Sequence, residues 1–150
     1  MKETHTIREE DMAGLAERVI DLLLVTETSA AKVVLLDGDL GAGKTTFTKE
    51  LAWLLGIERD SVNRPTFILK KEYNTEHHKF KKLVHVDAYR FNHPKESKIL
   101  RLVDDLVDPQ TIICVEWPSK MNYLKSDVAL TFLVVDDETR EIGLEYEKDI

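Results

Sequence analysis

Apolar positions along the chain fall into two periods. Between residues 9 and 24, Met12, Leu15, Ala16, Val19, Leu22 and Leu23 recur at three- and four-residue intervals, which predicts an amphipathic helix. Thr6 and Glu9 stand at capping-box spacing just ahead of it. Residues 32–37, KVVLLD, form a continuous apolar and β-branched run, as expected of a strand buried on both faces. TIICVE at 111–116 is a second such run and the best sheet partner for the first. Between them, Phe47, Leu51, Leu54 and Leu55 line one side of a helix over 44–55, and Gly56 is placed to close it in a left-handed conformation. ILKKEY and KLVHVDAYR read as strands around a polar turn, and a charged helix is expected over 94–106, opened by Pro94. VALTFLVVD and REIGLEYE read as a hairpin around DDET. Strands interleaved with helices indicate an α/β layered fold whose sheet is partly parallel, with antiparallel pieces at its edges.

Directly between the first buried strand and its helix stands LLDGDLGAGKTT, residues 35–46. Glycine loses more conformational freedom on folding than any other residue, so three within six positions imply a close approach of backbone to something. The spacing Gly38-x4-Gly43-Lys44-Thr45 is the phosphate-binding loop pattern, in the strand–loop–helix context it requires. Gly38, Asp39, Leu40, Gly41, Ala42, Gly43, Lys44, Thr45 and Thr46 are therefore the expected cradle of a nucleoside triphosphate, with the glycines assigned to it. Backbone amides and the helix N-terminus would face the phosphates. Lys44, read as a solvated cation with little to pack, would reach the β- and γ-phosphates, and the Thr45 hydroxyl would ligate Mg²⁺.

Hydrolysis also needs a carboxylate to hold the ion and order the attacking water, commonly at the end of a neighbouring buried strand. Glu116 ends TIICVE in that position, and Asp87 is the other candidate. Alternation along a strand would project His85, Asp87 and Tyr89 together, with Val86 and Ala88 facing away. A His-x-Asp pair can ligate a transition metal, but no Cys/His cluster supports a zinc site. Arg90 fits either a transition-state contact or a salt bridge. Trp117 fits nucleotide or partner contact as well as packing, and Trp53 reads as core or helix-contact material.

Length and charge narrow the class. At 150 residues the chain is long enough for one domain with a sizeable core. With 21 basic and 28 acidic residues the net charge is −7, which argues against nucleic-acid binding by the whole surface. The lysine-rich stretch 70–82 and the acidic end read as solvated faces. No apolar run approaches membrane-spanning length, and MKETHTIREED lacks a signal-peptide core, so a cytoplasmic protein is expected. Lone Cys114, inside an apolar strand, reads as a small buried hydrophobe.

GDLGAGKTT, RPTF, HVDAYR and VEWP, in this order and spacing over residues 5–146, resemble the bacterial TsaE (YjeE) ATPase family. The resemblance implies a single three-layer P-loop NTPase domain over residues 1–150, with a central mixed, partly parallel sheet flanked by helices. It implies ATP and Mg²⁺ as cofactors, hydrolysis supporting the TsaB–TsaD complex that makes the threonylcarbamoyl modification of tRNA adenosine, and contact with tRNA only through that complex. By position, Lys44 and Thr45 fall on the family's phosphate and magnesium residues, Thr66 on its switch-like segment, Asp87 on its His-x-Asp-x-Tyr-Arg motif, and Glu116 with Trp117 on its Glu-Trp pair. Arg64 stands where the family usually has serine, and Arg101 where it often has glycine. Two other readings of the loop remain: a P-loop kinase for a small molecule or nucleotide, and a nucleotide-sensing module that hydrolyses nothing. Little chain follows Glu116 from which to build a kinase's acceptor pocket and lid, and no guanine-reading motif is present.

Overall fold

In the computed structural model, which describes residues 1–26, 29–62, 70–88, 102–118 and 124–147, the strands join one seven-stranded sheet. The strands are β1 (Lys2–Arg8), β2 (Lys32–Gly38), β3 (Lys70–Asn74), β4 (Lys82–Asp87), β5 (Thr111–Glu116), β6 (Val128–Val134) and β7 (Thr139–Tyr146). Their order across the sheet is β1-β7-β6-β2-β5-β4-β3. The four central strands, β6, β2, β5 and β4, run parallel. Antiparallel pairs, β1 with β7 and β3 with β4, finish the two edges. The expected pairing of KVVLLD with TIICVE and the closing hairpin β6–β7 are both present.

Side-chain alternation gives each parallel strand two buried faces. On one face Val34, Leu36, Ile112, Cys114 and Leu130 pack under α1 (Met12–Val25) and α2 (Lys44–Leu54). Leu15, Val19 and Leu23 of α1 and Phe47 and Leu51 of α2 complete that layer. On the other face Val84, Val86, Ile113 and Val115 pack with Ala31 and Leu102. The short α3 (Val103–Leu106) belongs to this side, where Ala31 N–H donates to the Leu106 carbonyl at 2.9 Å. Among the described residues no helix is long and apolar enough to cross a membrane.

Three expectations for the fold are corrected by the structure, and a fourth lies only partly within the described residues. Thr6 is not a helix cap but a residue of β1, and α1 begins only at Met12 after a 3-10 turn over Glu9–Asp11. That turn is closed by the Asp11 carboxylate, which accepts the Arg8 backbone N–H at 3.1 Å. Of the helix expected over 94–106, residues 103–106 are helical and 94–101 lie outside the described residues. Trp53 is 45% exposed rather than core, with the Arg59 guanidinium 4.3 Å from its ring centroid. The lysine-rich hairpin is only partly solvated: Lys70 and Lys82 hold the buried Asp105 at 2.7 and 2.5 Å. Burial alone would raise the Asp105 carboxyl, but hydrogen bonds from the two ammonium groups outweigh it and hold it below the usual range. Gly56 ends α2 at φ 89, as its position predicted.

The outer strand β1 is fastened through Glu3. Its carboxylate accepts from Arg18 of α1 at 2.6 Å and from the Tyr146 hydroxyl of β7 at 2.8 Å. The hydrogen bond from Arg18, then that from Tyr146, lowers the Glu3 carboxyl from 4.5 to about 2. A carboxyl lowered by folding stabilises the fold above its unfolded value and loses that contribution as pH falls towards the folded one. Glu3→Gln should therefore cost about 1 kcal/mol or less at pH 7, given solvent screening of the pair. The difference from wild type should vanish as pH falls from 4.5 to about 2. Urea unfolding across that range checks this; a pH-independent difference would show that the charge of Glu3 is immaterial.

Candidate functional site

The loop between β2 and α2 lies at the C-terminal edge of the parallel strands. Gly43, at φ 110, is the N-cap of α2, and its carbonyl accepts the Phe47 N–H at 2.9 Å, the first turn of the helix. The amides of Lys44, Thr45 and Thr46 belong to that first turn, where no preceding helical carbonyl is available to them, so they present partial positive charge. Asp39, Leu40 and Gly41 form the exposed tip, and Ala42 is buried beneath it. Gly38 also has a task in the sheet that the loop pattern does not announce. It pairs with Phe132 of β6, and a Cβ on it would stand 2.6 Å from the Phe132 carbonyl oxygen. The sheet alone therefore requires glycine at this first position of the loop.

Lys44 is likewise not the solvated cation that the sequence suggested. It is 4% exposed, and its ammonium donates to the Gly38 carbonyl while lying 3.7 Å from the centroid of the Trp117 ring. Trp117 reaches that place because its backbone leaves β5 at φ 60, a left-handed conformation that costs a non-glycine residue roughly 1–2 kcal/mol. Its N–H donates to the Leu36 carbonyl at 3.2 Å, which fixes the turn against the end of β2.

Glu116 is 1% exposed and stands below the loop. The Thr45 hydroxyl lies 3.5 and 3.4 Å from its two carboxylate oxygens, and His85 Nε2 lies 2.6 Å from Oε2. Asp87, 4% exposed, pairs with Glu116 across β4 and β5. His85 and Asp87 thus share one strand face, while Val84, Val86 and Ala88 pack on the other. The two carboxylates singled out from the sequence are neighbours. Two oxygens bound side by side to a six-coordinate magnesium ion stand about 3 Å apart, so the Thr45–Glu116 separation fits one ion after a shift of a few tenths of an ångström, or a water on the carboxylate side. Among the described residues no three His, Cys, Asp or Glu side chains are grouped to hold a metal ion, so a cation here would take its remaining ligands from phosphate and water.

A cleft of about 410 Å³ opens over this cluster, lined by Gly43, Lys44, Thr45, Thr46 and Glu116 on its floor. Its rim includes Arg8 and Arg140, which the sequence reading did not single out. Arg140 donates to the carbonyls of Asp136 at 2.7 Å and Gly41 at 3.3 Å, tying the β6–β7 turn to the tip of the loop. Nothing local in the sequence announces that contact, because Gly41 and Arg140 are 99 residues apart. Thr66, Tyr89 and Arg90, with Arg64 and Arg101, lie outside the described residues. Cys114 is fully buried, and burial first, then the Glu116 charge, pushes its thiol far above the usual range, in keeping with a packing role.

Three kinds of comparison with known proteins agree. Residues 6–142 match the family described as threonylcarbamoyl adenosine biosynthesis protein TsaE. The tRNA threonylcarbamoyladenosine biosynthesis protein TsaE of Aquifex aeolicus is 34% identical over 145 residues, 96% of each chain. Its Bacillus subtilis namesake is 42% identical over 112 residues, 73% of this chain and 66% of that one. The crystal structure of YdiB from Bacillus subtilis superposes with a TM-score of 0.65 at 29% identity, covering 96% of this chain and 84% of the other.

The glycines of the loop allow a direct test of the packing. Gly38→Ala drives a Cβ into backbone at 2.6 Å, whereas Gly41→Ala, at φ 79, meets nothing within 4 Å. Gly41→Ala should cost only the left-handed strain, about 1–2 kcal/mol. Gly38→Ala should cost at least about 3 kcal/mol, because β6 has to move. Equal costs in denaturant unfolding would refute the assignment of Gly38 to the sheet.

Proposed function

The chain belongs to the TsaE family of tRNA threonylcarbamoyladenosine biosynthesis, and from that premise we propose that it binds ATP with Mg²⁺ in the loop cleft and hydrolyses it in support of the TsaB–TsaD complex. The observation that carries this reading is the convergence of the loop's Thr45 hydroxyl and the buried Glu116 carboxylate below a helix N-terminus. A phosphate loop alone supports binding. A buried carboxylate facing the loop's threonine adds a group able to orient an attacking water.

In this reading the α2 first-turn amides and Lys44 hold the phosphates. Bound at Thr45 and beside Glu116, magnesium would draw charge from the β- and γ-phosphate oxygens. Glu116 accepts a hydrogen bond from the attacking water and aims it, with Asp87 its neighbour across β4 and β5. Trp117 keeps the Lys44 stem and ammonium against the loop and limits water there. Contact with tRNA is through the partner complex, consistent with a net charge of −7.

Because Lys44 is buried, the informative variant retains its stem. Lys44→Met should fold like wild type and lose about tenfold to a hundredfold in ATP affinity, the worth of a charge-assisted contact of 1.5–3 kcal/mol. Calorimetry showing wild-type affinity would overturn the phosphate assignment. Glu116→Gln should bind ATP nearly as well as wild type and lose about tenfold or more in single-turnover hydrolysis. Phosphate release measured alone and with TsaB–TsaD then separates an ATPase from a sensor, which releases none.

A further inference from the structure

We propose that His85 is a positioning residue for hydrolysis, holding the Glu116 carboxylate in the one orientation that faces Thr45; this rests on the role proposed for Glu116 above. His85 is 0% exposed and Glu116 1% exposed, with 2.6 Å between Nε2 and Oε2. His85 is absent from the lining of the cleft, whereas Glu116 is part of it. The imidazole therefore reaches the nucleotide side only through the carboxylate.

The surroundings argue that this bond is the reason for a histidine. On the same face, Leu83 of β4 and Ile112 and Cys114 of β5 are apolar and fully buried, and His85 pairs with Cys114 across the strands. Burying an imidazole among them is unfavourable unless it is hydrogen-bonded. The tautomer with its proton on Nε2 donates to Glu116 and leaves Nδ1 as an acceptor, which is buried and finds no hydrogen-bond partner among the described residues. Among the described residues, the bond that holds this buried imidazole is the short one to Glu116. A side chain needed only for packing would be Leu or Phe. With Oε2 held by His85, both carboxylate oxygens face Thr45, Oε1 at 3.5 Å and Oε2 at 3.4 Å. Groups that orient a reacting or metal-binding carboxylate from behind typically account for about tenfold to a hundredfold in activity or metal affinity.

Two amides and one apolar variant test this. The Nε2 amide of His85→Gln takes the place of imidazole Nε2 and can still donate to Glu116; that of His85→Asn stops short, at similar polarity. His85→Leu removes the donor and keeps the bulk. Single-turnover ATP hydrolysis, calorimetric affinity for a non-hydrolysable ATP analogue with Mg²⁺, and thermal unfolding are measured on each. His85→Gln should stay within about threefold of wild-type hydrolysis, while His85→Asn and His85→Leu lose about tenfold or more. All three should keep analogue affinity within about threefold, because the loop amides and Lys44 are untouched. If His85→Leu fails to fold, the comparison of Gln with Asn decides. Equal hydrolysis by the two amide variants, or a fall in affinity that accounts for the fall in rate, overturns the proposal alone. Wild-type protein that binds no ATP, or binds it and releases no phosphate with or without TsaB–TsaD, overturns the reading of the site and this proposal with it.

Discussion

The register of β2 between β5 and β6 is the constraint on which the site depends. Leu36 pairs with Glu116 on one side and Gly38 with Phe132 on the other. Because all three strands run parallel, their C-terminal ends meet at one edge, where open α/β sheets place their ligands. The phosphate loop begins where β2 ends, and the carboxylate sits where β5 ends. A one-residue slip of β5 would turn Glu116 to the opposite face and bring Val115 under Thr45. The missing side chain at Gly38 lets β6 pair up to the last residue of β2, and Phe132 then packs edge-on to Phe47 of α2 at 6.1 Å. The loop is thus held by the sheet before any ligand arrives.

Placing Lys44, Asp87, His85 and Glu116 all below one-tenth exposure is costly. The structure offsets part of that cost with specific partners: a carbonyl and an aromatic face for Lys44, and an imidazole and a threonine hydroxyl for Glu116. Such a polar pocket loosens readily when a partner is removed, since a buried group left unpaired costs more than its pairing contributed. The α2 amides, the threonine and the carboxylate already share one side of the sheet.

The parallel core was legible because strands buried on both faces carry continuous apolar runs, and KVVLLD and TIICVE do so without ambiguity. The loop and α2 were legible from local spacing, as was the antiparallel hairpin. β1 was not. Its inward positions are Glu3, His5 and Ile7, so only one of three is apolar, and the strand exists through pairing with β7 rather than through its own pattern. The burial of Lys44 could have been read, since Lys44, Thr48, Leu51 and Leu55 follow one helical stripe at spacings of four, three and four. By the same periodicity Trp53 falls nearly opposite Leu51 and belongs outside. The His85–Glu116 bond was half legible: alternation put His85 and Asp87 on one face, but the partner depends on the register of β4 with β5, which no local pattern encodes. Arg140 on Gly41 is a contact of the same non-local kind.

The central claim is that Thr45 and Glu116 flank the cation that accompanies a bound triphosphate. Its most direct measurement is anomalous diffraction from crystals grown with a non-hydrolysable ATP analogue and Mn²⁺ in place of Mg²⁺. The account predicts a single strong peak about 2.1–2.2 Å from Thr45 Oγ1, on the side facing Glu116 and in contact with the β- and γ-phosphates. Nucleotide bound with the peak elsewhere, or with no peak beside Thr45, would contradict it.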